Sequence, residues 1–134
     1  MNDASDSFEQ QFGLLRDAYA RDLGARLAAL EHLWARLQRD GWERALAQDL
    51  RRRVHRLRGS GATFGFPQLS EAARHLEDTL READVSGAAP TPQQLADIGA
   101  ELGALRRALG ESASNHREAG PAESNGSPTD RTAP

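Results

Sequence analysis

The stretch Leu50-Arg51-Arg52-Arg53-Val54-His55-Arg56-Leu57-Arg58-Gly59-Ser60-Gly61-Ala62-Thr63-Phe64-Gly65-Phe66-Pro67 carries one helix and its end. Leu46, Leu50, Val54, Leu57, Gly61 and Phe64 recur at spacings of three and four, the signature of one buried helical face. Gly65-Phe66-Pro67 stops the pattern, and Pro67 suits the first turn of a following helix. Gly59 and Gly61 lie inside the pattern, where each costs about 1 kcal/mol relative to alanine. Glycine is expected at such places only where a side chain would obstruct something.

The pattern extends in both directions. Toward the N-terminus, Phe8, Phe12, Leu15, Tyr19 and Leu23 form a helical stripe, continued by Leu27, Leu30, Trp34 and Leu37. Gly24 is expected to divide this stretch into two helices, and Asp40-Gly41 to end it. Toward the C-terminus, Leu69, Ala72, Ala73, Leu76 and Leu80 follow Pro67. After a loop over Val85–Pro90, Thr91-Pro92-Gln93-Gln94 reads as a helix start with Thr as N-cap, Pro at N1 and Gln at N3. Leu95, Ile98, Leu102, Leu105 and Leu109 form the last stripe. Strand signals are absent: the chain has two valines, Val54 and Val85, one isoleucine, Ile98, and no period-two alternation. The expected fold is all-α, an antiparallel up-down four-helix bundle with an additional N-terminal helix. Residues 7–111 are expected to form the bundle, with a flexible N-terminus over 1–6. A disordered tail is expected over 112–134, which is rich in Ser, Ala, Gly, Pro and Glu.

Composition excludes several functions. The 134 residues contain no cysteine, which removes disulfides, thiol catalysis and Cys-based zinc sites. No apolar run approaches a membrane span, and the polar, acidic start does not resemble a secretory signal. A cytoplasmic protein is therefore expected. All 17 basic residues are arginine, and the net charge is −3. Five arginines and no acid fall between Leu50 and Pro67. One basic patch on an acidic chain argues against nucleic-acid binding and for one acidic partner surface.

His55 lies at the centre of that patch. At about 100° per residue it points away from the apolar stripe, with Gly59 about 40° and Ala62 about 20° from it on the same face. Helical side chains lean toward the N-terminus, so a large residue at 59 would cover the imidazole. Glycine leaves it open to a protein-sized partner. Arg51, Arg52 and Arg58 flank the same face and suit an anion carried on the ring, such as a phosphoryl group. An open imidazole in positive surroundings describes a nucleophile for phosphoryl transfer.

These residues resemble the phosphoacceptor motif of histidine-containing phosphotransfer (HPt) domains, His-x-Leu-(Lys/Arg)-Gly-Ser-x-x-x-x-Gly. Here it stands as His55-Arg56-Leu57-Arg58-Gly59-Ser60, with Gly65 closing the helix. The resemblance covers roughly residues 8–110 and implies a phosphocarrier without autonomous kinase activity. His55 would accept the phosphoryl group on its distal nitrogen from a receiver-domain aspartate and pass it to another receiver. Arg58 stands where the family usually has lysine, and Gly59 would be the access glycine. Glu77, in the place where the family often has Gln or Glu on the next helix, would hold the other ring nitrogen. Arg51, Arg52 and Ala62 are the candidate partner-binding residues. The implied partners are receiver domains of response regulators and of hybrid sensor kinases. Mg²⁺ is expected in the receiver, and neither a metal nor another cofactor in this chain, which is expected to be monomeric.

Other readings fit less well. The dimerisation domain of a histidine kinase usually reads His-(Glu/Asp)-Leu-(Arg/Lys)-Thr-Pro, whereas Arg56 and Gly59-Ser60 stand here. The alternative of a different class is a non-phosphorylated helical-bundle module that binds a receiver or sensor-kinase domain. An open glycine beside a histidine argues against it, since a scaffold needs neither. His75 and Glu71, at i and i+4, have metal-ligand spacing but lack a third ligand. Nothing resembles a hydrolase nucleophile motif.

Overall fold

A computed structural model describes residues 3–125, with side chains described over 4–111. Four helices follow one another: α1 (Asp3–Asp40), α2 (Arg44–Thr63), α3 (Pro67–Val85) and α4 (Pro92–Asn125). No strand occurs among the described residues. The core gathers one stripe from each helix. Tyr19, Leu23, Leu27, Leu30 and Leu37 come from α1, and Leu50, Val54 and Leu57 from α2. Leu69, Ala73, Leu76 and Leu80 come from α3, and Ile98, Leu102, Leu105 and Ala108 from α4.

The helix ends are built from local chemistry. At the end of α2, Phe66 N–H donates to Gly61 C=O at 2.7 Å and Gly65 N–H to Ala62 C=O at 3.4 Å. This is the paired closure of a Schellman motif, and Gly65 supplies the left-handed residue it needs, at φ +82°. At the start of α4, Gln94 N–H donates to Thr91 Oγ1 at 3.1 Å. The Gln94 side chain in turn accepts from Thr91 N–H at 2.9 Å, completing a capping box.

α2 and α3 form the most closely packed pair, and their contacts run in opposite senses along the two helices. Arg51 of α2 meets Asp84, His55 meets Glu77, and Arg58 C=O accepts from Ser70 Oγ. Gly61 lies at this contact, which leaves room for a methyl group and little beyond it. A Cβ there would lie 3.4 Å from Ser70 N and 3.5 Å from Phe66 O. Across the other face of α2, Arg16 of α1 donates to Phe64 C=O at 2.9 Å, and the Tyr19 and Ser60 hydroxyls are 2.7 Å apart. Thr79 donates to Glu101 to tie α3 to α4, and Arg106 pairs with Glu31 to tie α4 to α1.

Three expectations are corrected. The additional N-terminal helix is not separate: α1 is one helix of 38 residues running through Gly24. A helical glycine costs only about 1 kcal/mol, and Leu23, Leu27 and Leu30 are each 2% exposed on one continuous face, which holds the register across it. Residues 3–6, expected to be loose, begin that helix; the acidic Asp6 suits a helix N-terminus. α4 continues to Asn125, past Leu109 where the apolar stripe ends. Ala113, Arg117, Glu118, Ala119, Ala122 and Glu123 are good helix formers, Gly120 and Pro121 act against them, and the sequence there carries no apolar stripe. The remainder of the expected tail lies outside the described residues.

Candidate functional site

His55 and Glu77 come from adjacent helices, and burial separates their roles. The His55 side chain is 66% exposed, whereas that of Glu77 is 7% exposed. Glu77 is the one charged residue among those buried in α3. It sits one position after Leu76 on the core-facing side, where a carboxylate persists only if fully paired. Its partners supply that pairing. His55 Nδ1 lies 2.7 Å from Oε2, and Arg58 Nη1 donates to Oε1 at 2.9 Å. Arg81, one turn along α3, places Nη2 3.6 Å from Oε2. Burial pushes the Glu77 carboxyl up, but the hydrogen bonds and charges of Arg58 and His55 outweigh it and hold the group below the usual carboxylate range.

This contact sets the chemistry of the ring. A carboxylate only accepts, so the nitrogen facing it carries the proton. In the neutral imidazole, Nδ1 then bears hydrogen and Nε2 bears the free lone pair. Nε2 makes no hydrogen bond among the described residues. His55 is thereby held at one nitrogen and open at the other.

The backbone around the ring is fixed from both sides. Ser70 Oγ donates to Arg58 C=O at 2.7 Å, and Thr63 Oγ1 to Gly59 C=O at 3.1 Å. Gly59 faces open space: a Cβ there would meet no atom within 4 Å. The two glycines of the motif thus differ in surroundings, Gly61 facing the α3 backbone at contact distance and Gly59 leaving the outer face clear.

A cavity of about 410 Å³ is lined by Arg51, Arg52, His55, Arg56 and Glu77. Ala62 is exposed further along α2. Arg51 reaches across to α3 and donates to Asp84 at 3.4 Å, and Arg52 lies 3.5 Å from Asp49. A larger cavity, about 520 Å³, lies between α3 and α4 against Ala72, Ala104 and Ala108. Glu101 lines it with one buried carboxylate oxygen lacking a partner. Burial raises the pKa of that carboxyl, more than the Thr79 hydrogen bond lowers it. It contains none of the residues around His55, so chemistry rather than size locates the site. His75 and Glu71 form an exposed pair at 3.2 Å. No group of three or more metal-ligating side chains occurs among the described residues.

The residues singled out by sequence therefore divide. The structure brings His55, Arg58 and Glu77 into one hydrogen-bonded set and places Arg51 and Arg52 on the cavity beside it. Sequence reasoning passed over Arg81 and Ser70. Arg81 is at i+4 from Glu77, a spacing that signals a helical ion pair. Ser70 carries no comparable signal, because its contact depends on how α3 crosses α2.

The sequence profile of the Hpt domain family matches residues 14–112. No curated protein and no solved structure matches the chain.

Proposed function

The chain belongs to the Hpt domain family, whose members are phosphocarriers of two-component signalling rather than enzymes, and from that premise we propose that His55 is its phosphoacceptor. A receiver domain presents an aspartyl phosphate. The Nε2 lone pair attacks phosphorus as the bond from phosphorus to the aspartyl oxygen breaks, and the carboxylate leaves with the bonding pair. The ring now carries a positive charge, and its Nδ1–H points at the ionised Glu77 carboxylate. In the return step an aspartate of a second receiver attacks phosphorus, and the Nε2 lone pair is restored. Such transition states are loose, so positioning and charge neutralisation supply most of the catalysis. Mg²⁺ is assigned to the receiver, and the arginines on the His55 face to contact with it.

The observation that carries this reading is the asymmetric hold on the ring, with Nδ1 on a buried carboxylate and Nε2 without a partner among the described residues. The contacts along paired helices support an antiparallel up-down bundle as its frame. All site residues come from one chain, so a monomer suffices. We place the exchange in the cytoplasm, where ATP supplies the phosphoryl group; no described helix is long and apolar enough to cross a membrane.

The test mixes wild type and His55→Gln with phosphorylated receiver and hybrid-kinase domains. Acid-labile, base-stable label on wild type alone is expected. Equal label on both proteins, or none on well-folded wild type from any donor, would overturn the assignment.

A further inference from the structure

Resting on the phosphocarrier reading, we infer that Arg56, rather than Arg58, is the cation that meets the phosphoryl group on His55. Every other arginine near the ring is already engaged. Arg58 Nη1 is on Glu77 Oε1 at 2.9 Å. Turning it outward would leave a buried carboxylate half paired, which is costly. Arg51 is held by Asp84, and Arg52 and Arg53 share Asp49. Arg81 is on Asp78 at 2.8 Å and faces Glu77.

Arg56 makes no hydrogen bond or ion pair among the described residues. It is exposed and lines the same cavity as His55. It also lines a smaller cavity on the α1 side with Arg26, Leu30, Arg53 and Leu57. Its guanidinium therefore has room on both sides and no carboxylate to leave.

The charges point the same way. Glu77 and Arg58 cancel each other. A phosphoryl group brings a charge of about −2, of which the phosphorylated ring cation offsets one. One further positive charge balances the set, and a planar guanidinium matches two phosphoryl oxygens at once. Successive helical side chains diverge by about 100°. Arg56 thus leaves Nε2 open to attack, and the cavity it shares with His55 gives its long side chain room to turn toward the group once it is attached.

The test uses phosphoramidate, a small donor with no docking surface, on the full chain, with labelling followed by ³¹P NMR. In the reaction the Nε2–P bond forms, the P–N bond of phosphoramidate breaks, and ammonia leaves with the bonding pair. Arg56→Ala is expected to slow labelling about tenfold, Arg56→Lys to restore most of the rate, and Arg53→Ala to match wild type. Circular dichroism checks that the fold is unchanged, as expected for an exposed side chain without partners. Labelling of Arg56→Ala at the wild-type rate would overturn the inference. So would a slowing confined to transfer from a receiver domain, which would move Arg56 to docking. Wild type that takes no label from phosphoramidate or from any receiver would overturn the phosphocarrier reading itself.

Discussion

Nδ1 of His55 lies 2.7 Å from Oε2 of Glu77, and the carboxylate that holds it is buried while the ring is exposed. An imidazole on a surface helix otherwise rotates among staggered conformers. Here one hydrogen bond fixes both the orientation of the ring and the nitrogen left free. Arg58 holds the second carboxylate oxygen of Glu77.

Replacing Glu77 separates orientation from charge. Glu77→Ala releases the ring and strands Arg58, while Arg81 keeps Asp78, and transfer is expected to slow about 10- to 100-fold. Glu77→Gln keeps an acceptor for Nδ1–H and is expected to lose less. Arg58→Ala is expected to cost stability of about 1 kcal/mol, discounted because its side chain is 40% exposed. Urea denaturation with receiver-driven transfer assays reads both effects. Equal transfer by Glu77→Ala and wild type would remove Glu77 from the site.

The two glycines of the motif are expected to respond in opposite ways. Gly59→Leu meets open space, so the helix is unharmed or stabilised by about 0.5–1 kcal/mol, while receiver-driven transfer falls. Gly61→Leu forces a side chain against the Ser70 backbone and is expected to destabilise by about 1–3 kcal/mol. Thermal melts and transfer rates of the pair check this. A Gly59→Leu protein that transfers at the wild-type rate would contradict the access role.

Acid should weaken the fold through Glu77. Its carboxyl sits lower in the folded chain than in the unfolded one, where it titrates near about 4.3. Its stabilisation is therefore fully present above the unfolded value and is lost as pH falls through the folded one. Stability measured against pH is expected to fall less steeply for Glu77→Gln than for wild type below that value. Identical slopes would show that the pairing adds nothing.

The segment after Glu111 is expected to be dispensable. Removing residues 112–134 should leave the melting temperature and the transfer rate unchanged, since the apolar stripe of α4 ends at Leu109. A lowered melting temperature would show that the segment packs on the bundle.

The all-helical class was legible because the Leu stripes keep one period, and the Thr91–Gln94 capping box because its chemistry is local. The fate of Gly24 was not, since whether a helix continues through glycine depends on the buried Leu23, Leu27 and Leu30 on either side. The nearness of Glu77 to His55 entered through a family resemblance. Its partnership with Arg58 did not, because it depends on the rotation of α2 against α3. That rotation brings Ser70 against Gly61 and Arg58 C=O, an approach no spacing in the chain announces. The isolation of Arg56 was likewise illegible, because it appears only when the neighbouring arginines have found their carboxylates.

The most direct measurement is the identity of the phosphorylated atom. Wild type labelled by a phosphorylated receiver, with ¹⁵N in its histidines, would be examined by ³¹P and ¹⁵N NMR. The hold of Glu77 on Nδ1 predicts a phosphoryl group on Nε2 of His55 alone. A phosphoryl group on Nδ1, or on any other residue, would contradict it.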